Sequence, residues 1–382
     1  MASLVSPGVQ VKEIDLTNVV PSTSSTIGAM AGSFQWGPVN EVATVTSETE
    51  LVEKFGKPSA ETFESVLTAA QFLSYGSALK VVRAVGGSAL NATASGTGIL
   101  TKNKTIFDSQ TPAAGDWAQA RCPGVTGNAV GIAYATDPTS FAGSTWWTDN
   151  VESAPGTSAG AAAVGGSNDE IHILVYDANG TITGTANSIL EYWTYLSQAS
   201  DVKSSDGSTL YYRDVINAGS KWVFVGNHPA TLTDAGESAT SNAFTRVNHA
   251  FNEFSGGIDD NVLTVGETTT ALAQYADAET MDVNLVFQSN SGLSAGDNIT
   301  LSNYITALTT ARKDAVGFVS PERAATVNAG APATTVAAWR TGTTSTSYGF
   351  ADSSSLYVYD KYNDVYRWIC AAGSTAGLTA NA

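Results

Sequence analysis

Residues 27–34 read IGAMAGSF and residues 47–85 read SETELVEKFGKPSAETFESVLTAAQFLSYGSALKVVRAV, and these two stretches decide the fold class. The first is small and apolar throughout, as a strand covered on both faces requires. In the second, Ser47 followed by Glu50 reads as a capping box, with Leu51, Val52 and Phe55 at helical spacing and Gly56 as the stop. Pro58 leads into a second helix, in which Phe63, Val66, Leu67, Ala70 and Leu73 form one apolar stripe running towards Gly76. Residues 79–85 (LKVVRAV) then read as a strand. Strand, helix, helix, strand within 90 residues predicts an α/β-type core.

The same texture returns near Ile258. Thr264 and Glu267 form a second capping-box pattern, continued by Ala271, Leu272 and Tyr275. Residues 282–287 read as a strand, Tyr304, Ile305, Leu308 and Ala311 as a helical stripe, and 315–320 as a strand halted by Pro321. Between the two regions the chain is rich in Gly, Ala, Ser and Thr, with strand-like patches at 128–136, 171–176 and 221–225. Asp177-Ala178-Asn179-Gly180 before Thr181-Ile182-Thr183 predicts a hairpin with Asn-Gly at its turn. Residues 154–167 read as an exposed low-complexity loop. Gly86-Gly87 and Gly256-Gly257 lie where the texture changes and read as flexible joints.

The expected class is therefore α+β: a mixed α/β core domain split in sequence, with an inserted β-rich domain and an extended N-terminal arm. The boundaries are 1–20 for the arm, 21–90 and 258–382 for the two halves of the core, and 91–257 for the insertion. In the arm, Val9, Val11, Ile14 and Leu16 are candidates for strand pairing with a neighbouring subunit.

Composition excludes several functions. There are 35 acidic against 18 basic residues, a formal net charge of -17, and a chain so acidic repels phosphate backbones. Nucleic-acid binding is not expected. Charged residues make up only 14%, against about 25% in an average soluble domain, so the surface is polar but weakly ionic. Cys122 and Cys370 stand far apart, which predicts free buried thiols in a reducing cytoplasm instead of a disulfide scaffold. The first residues carry neither the basic nor the apolar stretch of a signal peptide, and no apolar run approaches the ~20 residues that span a bilayer, so direct membrane insertion is not expected.

Chemistry-bearing constellations are equally sparse. His172, His228 and His249 share no metal-binding spacing, and His172 sits in a strand pattern where a structural role is expected. Asp259-Asp260 and Glu267 lack the alternating oxygen spacing of a calcium loop and read as turn and cap residues. No phosphate loop or nucleophile motif occurs. No enzyme activity, catalytic residue, metal or cofactor is assigned.

Short strings along the whole chain nevertheless resemble one family. They are 6–9 (SPGV), 34–38 (FQWGP), 55–58 (FGKP), 79–85 (LKVVRAV), 121–124 (RCPG) with Gly127-Asn128, 254–257 (FSGG), 282–285 (DVNL), 312–314 (RKD), 319–321 (VSP), 336–340 (VAAWR) and 357–368 (YVYDKYNDVYRW). Their order resembles that of contractile phage tail sheath proteins of the T-even-like myovirus family. The resemblance implies a structural subunit that stacks with other sheath subunits as helically offset six-fold rings around a tail tube. It implies contraction that drives the tube through the host envelope, with the tube, baseplate and tail terminator proteins as partners. Location in the virion tail, after assembly in the host bacterial cytoplasm, is implied as well. It also implies that the chain stops where the family continues into a C-terminal domain, so assembly of this chain alone is not expected. Within the closest string, Tyr359, Asp360, Lys361, Tyr362, Asn363, Asp364, Arg367 and Trp368 are expected to form a hairpin turning at Asn363-Asp364, a core element in the first reading and an interface element in the alternative. The same architecture serves contractile bacteriocins and extracellular injection particles; a surface adhesin is a more distant alternative.

Overall fold

The computed structural model describes residues 26–110, 116–290 and 292–382. The expected arm, with Val9, Val11, Ile14 and Leu16, lies outside the described residues. Along the chain, β1 (Ile27–Ser33), β2 (Val42–Val45) and β3 (Ala78–Ala84) come first. The middle region carries β4 (Ala118–Ala120), β5 (Val130–Ala135), β6 (Glu170–Asp177), β7 (Ser188–Ser197), β8 (Val223–Val225) and β9 (Ala250–Glu253). Then come β10 (Leu285–Phe287), β11 (Val316–Val319), β12 (Gly349–Ala351), β13 (Ser355–Asp360) and β14 (Val365–Cys370). The class is α+β, as expected.

One six-stranded sheet, ordered β12-β11-β10-β1-β3-β2, takes strands from both sides of the middle region. β1 is interior, parallel to β3 on one side and to β10 on the other, while β2 runs antiparallel at an edge. Side chains alternate across a strand, so β1 serves two cores. Ala29 and Ala31 face Leu301, Ile305 and Trp339, whereas Met30 faces Phe55, Phe72 and Phe287. The smallness of β1 has a packing cause: a Cβ at Gly28 would stand 2.4 Å from the Phe72 ring, so glycine lets helix Phe63–Leu73 approach the strand.

Both helix starts carry their caps, with one shift. Thr264 and Glu267 form the full reciprocal box of helix Val265–Leu272. At helix Glu48–Phe55, Ser47 Oγ accepts the Glu50 N–H at 3.2 Å, but the Glu50 carboxylate reaches past Ser47 to the N–H and hydroxyl of Thr46, both at 2.8 Å. Predicted strand 282–287 shortens to Leu285–Phe287: the chain bends at Asn284, whose side chain accepts the Ile27 N–H at 2.9 Å beside its own backbone bonds to Ile27 and Val316.

In the middle region a four-stranded antiparallel sheet, β7-β6-β5-β9, stands beside the β4-β8 pair. Two expectations are corrected here. The β6–β7 hairpin exists, but Thr181-Ile182-Thr183 belongs to its connection and not to a strand. The buried Asp177 carboxylate accepts the N–H groups of Gly180, Ile182 and Thr183, which holds a wide turn in place of a two-residue one. Residues 154–167 are not simply exposed: buried Ser158 bonds the Asp169 carboxylate through its N–H (2.8 Å) and hydroxyl (2.7 Å), seating the short helix Ala159–Ala163.

The glycine doublets are not slack joints. A Cβ at Gly86 would overlap the Asp260 carboxylate at 2.1 Å, and Gly256, at φ +82°, would bring one within 2.6 Å of the Gly96 carbonyl oxygen. Gly86, Gly256 and Gly257 mark close approach, whereas Gly87 is exposed with open space around it. Asp259 and Asp260, read from sequence as solvated turn residues, accept backbone N–H groups from Val125 (2.9 Å) and Ser88 (3.0 Å).

Candidate assembly surface

The β13–β14 hairpin forms a two-stranded sheet of its own outside the six-stranded one. Its turn is organised by one carboxylate. Asp360, fully buried, accepts the N–H of Tyr362 (3.1 Å) and of Asn363 (3.3 Å), the Asn363 amide (2.8 Å) and the Arg367 Nε–H (3.1 Å). Asp364 sits at φ 53°, a left-handed conformation that Asp and Asn tolerate. The turn thus falls where the sequence places it.

Register puts Tyr357 opposite Trp368 and Tyr359 opposite Tyr366, all four on one face. The other face, with Leu356, Asp360, Arg367 and Ile369, turns to the body of the protein. Arg367 lies over the Phe63 ring at 4.5 Å, and Asn363 donates to the Pro58 carbonyl at 2.9 Å. At the tip, Lys361 (2.9 Å) and the Tyr362 hydroxyl (3.0 Å) reach the Glu48 carboxylate. This ion pair is exposed, so it positions the tip more than it stabilises it.

The hairpin is core on one face only, and its other face keeps the interface alternative open. Asp360, Ile369 and Cys370 are buried, but Tyr357, Tyr359, Tyr366 and Trp368 are 56%, 49%, 59% and 38% exposed. Their rings lean on one another, Tyr357 on Trp368 at 4.7 Å and Tyr366 on both Tyr357 and Tyr359 at 5.2 Å. Cross-strand aromatic pairs of this kind hold a lone ribbon together. They also leave an uncharged, largely apolar strip on a strongly acidic chain, and contiguous exposed apolar area marks interaction surfaces. Two clefts flank Trp368. One, of about 370 Å³, is lined by Val327, Pro332 and Val336; the other, of about 290 Å³, by Leu293, Arg323 and Asn328. Sequence reading singled out Tyr359 and Trp368 but not Tyr357 and Tyr366, although period-two alternation on paired strands places all four together.

The histidines are engaged structurally. His172 Nδ1 accepts the Tyr195 N–H and Nε2 donates to the Ser153 carbonyl, each at 3.0 Å. His228 Nδ1 shares a 2.6 Å hydrogen bond with the Tyr212 hydroxyl. Burial lowers both pKa values to about 4, so both are neutral near pH 7. Cys122 and Cys370 are free and buried, their thiols pushed up to about 11 and 12 by burial. Among the described residues no cluster of three or more His, Cys, Asp or Glu is placed to hold a metal ion, and no helix is long and apolar enough to cross a membrane.

Comparison with known proteins returns tail sheath proteins. A family model described as the tail sheath protein Gp18 domain III N-terminal region matches residues 25–84. The tail sheath protein of Salmonella phage ViI is 30% identical over 465 aligned residues, covering 98% of this chain and 70% of its own length. That of Enterobacteria phage T4 is 25% identical, covering 99% and 72%. Among solved structures, the sheath tail protein Lin1278 of Listeria innocua superposes with a TM-score of 0.50 at 13% identity, over 94% of this chain. This chain spans 57% of the length of that protein, and the likeness is one of fold.

Proposed function

This chain belongs to the phage tail sheath protein family, and on that premise we propose that it is the repeating subunit of a contractile tail. Copies stack as helically offset six-fold rings around a tail tube, assembled in the host cytoplasm and ending at the baseplate and the tail terminator. The supporting observation is the 30% identity to a phage tail sheath protein along 98% of the chain.

The exposed aromatic ribbon fits this role. A subunit carrying a net charge of -17 approaches its own copies best through uncharged surface, and the Tyr357–Trp368 face is such a surface. Each few hundred Å² of apolar area covered between neighbours contributes several kcal/mol at about 25 cal/mol/Å². Two packings of the same subunits that differ in buried area therefore store mechanical energy without a cofactor, and rigid-body rotation between packings is an established kind of transition.

The test is immunogold labelling of the virion with antibody raised against this chain. Label repeating along the tail shaft, with its axial spacing shortened in contracted particles, is expected. Label confined to the capsid, the fibres or a single ring would overturn the proposal.

A further inference from the structure

We infer that the neck between the six-stranded sheet and the 91–257 segment is a fixed joint pinned by the Arg83 guanidinium, so the segment is carried at one set angle and does not hinge. Arg83 lies near the end of β3 and is 1% exposed. Its Nε–H donates to the Phe34 carbonyl (2.8 Å), Nη1 to Gly37 (2.9 Å), and Nη2 to Gln35 (3.3 Å) and Pro123 (2.8 Å). The first three acceptors belong to the loop after β1; the fourth belongs to the inserted segment. A buried guanidinium is costly unless its N–H groups are satisfied, and its planar fork accepts partners only in set directions. Desolvation lowers its pKa to about 10, which still leaves it charged at neutral pH. One rigid cation therefore fixes the position of Pro123 relative to the 34–37 loop.

The two chain passages of the neck are zipped beside it. Leu90 and Ile258 exchange both backbone hydrogen bonds at 3.0 Å, Gly124 N–H also reaches the Leu90 carbonyl at 3.0 Å, and Gly86 N–H reaches the Asp260 carbonyl at 2.8 Å. The Asn128 side chain brackets the Gly257 peptide, donating at 3.0 Å and accepting at 2.8 Å. Asp259 and Asp260 close the rim through Val125 and Ser88. Trp36, from the core loop, extends into the apolar core of the inserted segment, its ring 5.2 Å from that of Trp222. A hinge needs a few residues free to absorb changes in φ and ψ; here only Gly87 has open space, and it is held between Gly86 and Ser88, whose N–H groups both bond Asp260.

The two cysteines supply the test. Cys122 adjoins Pro123 at the neck and is 3% exposed; Cys370, 1% exposed, lies against Thr68 and Gln288 in the body of the protein. Iodoacetamide labelling of the native full chain, read by peptide mass mapping, reports local opening at each. In Arg83→Met, and in Arg83→Lys, which keeps the charge but loses the fork, Cys122 is expected to label at least about tenfold faster with Cys370 unchanged, the signature of local opening. If an Arg83 variant does not fold, the rim variant Asp259→Ala/Asp260→Ala carries the test with the same expectation. Equal acceleration at both cysteines, or at neither, would overturn the fixed joint.

Discussion

The Asp360 carboxylate receives the Arg367 Nε–H at 3.1 Å across the β13–β14 ribbon, with Asp360 fully buried and the Arg367 guanidinium 4.5 Å over the Phe63 ring. One residue thus closes the turn and neutralises the cation that seats the ribbon on helix Phe63–Leu73. Asp360→Ala removes four hydrogen bonds and strands Arg367. A loss of about 3 kcal/mol, read from urea unfolding midpoints, is expected, because breaking a buried pair costs more than the pair contributes. A midpoint within error of the parent would show that the ribbon is held by its apolar contacts alone.

The histidines set a pH limit. Folded His172 and His228 have pKa values near 4, against an ordinary value of 6.5, burial being the leading cause in both. Between those values the unfolded chain binds protons that the folded chain refuses. Their contribution is complete above pH 6.5 and is lost as pH falls towards 4, at about 2 kcal/mol per residue. In His172→Gln the fall in urea midpoint between pH 7 and 4.5 is expected to be shallower.

Asp352 works in the opposite sense. Burial raises its pKa to about 6, against lowering by the Ser320 hydroxyl and the Ser354 N–H. Its folded form holds a proton that the unfolded chain releases above pH 3.8, so stability falls as pH rises from 3.8 to about 6 and the penalty is complete and constant above that. Asp352→Asn is expected to raise stability at pH 7 by about 1–2 kcal/mol, with the gain vanishing near pH 4. A loss at pH 7 would show that the charge itself is needed by the Ser320 contact.

Trp36 ties two cores together, so Trp36→Ala is expected to cost about 3–5 kcal/mol, the range for a large aromatic removed from a packed core. Calorimetry checks this, and separation of one transition into two would identify Trp36 as the coupling between the cores.

On the aromatic face, Tyr357 and Trp368 belong to none of the buried clusters, so Tyr357→Ser with Trp368→Ser leaves those clusters intact. The double variant is expected to keep native circular dichroism, lose about 1 kcal/mol from cross-strand pairing, and be depleted from tails when expressed beside the parent. Equal incorporation would remove this face from the subunit contacts.

Local signals in the chain were enough for much of this. Thr264 and Glu267, the stripe from Phe63 to Leu73, the small residues of β1 and the Asn363-Asp364 turn each depend on neighbours within a few residues, and each formed as read. The glycine doublets, the 154–167 stretch and the Asn179-Gly180 turn were misread because their conformations are set by distant groups. Asp260 packs on Gly86, Asp169 takes Ser158, and Asp177 gathers three N–H groups into a longer turn.

The hairpin read as buried core shows the division best. Sequence by itself determined two aromatic strands joined at Asn363-Asp364, since alternation and turn chemistry are local properties of the chain. Only the tertiary structure decided that Asp360 and Arg367 face inward over Phe63 while Tyr357, Tyr359, Tyr366 and Trp368 face outward. Which side of a ribbon is buried depends on the surface it lands on. That surface is a helix some 300 residues earlier in the chain.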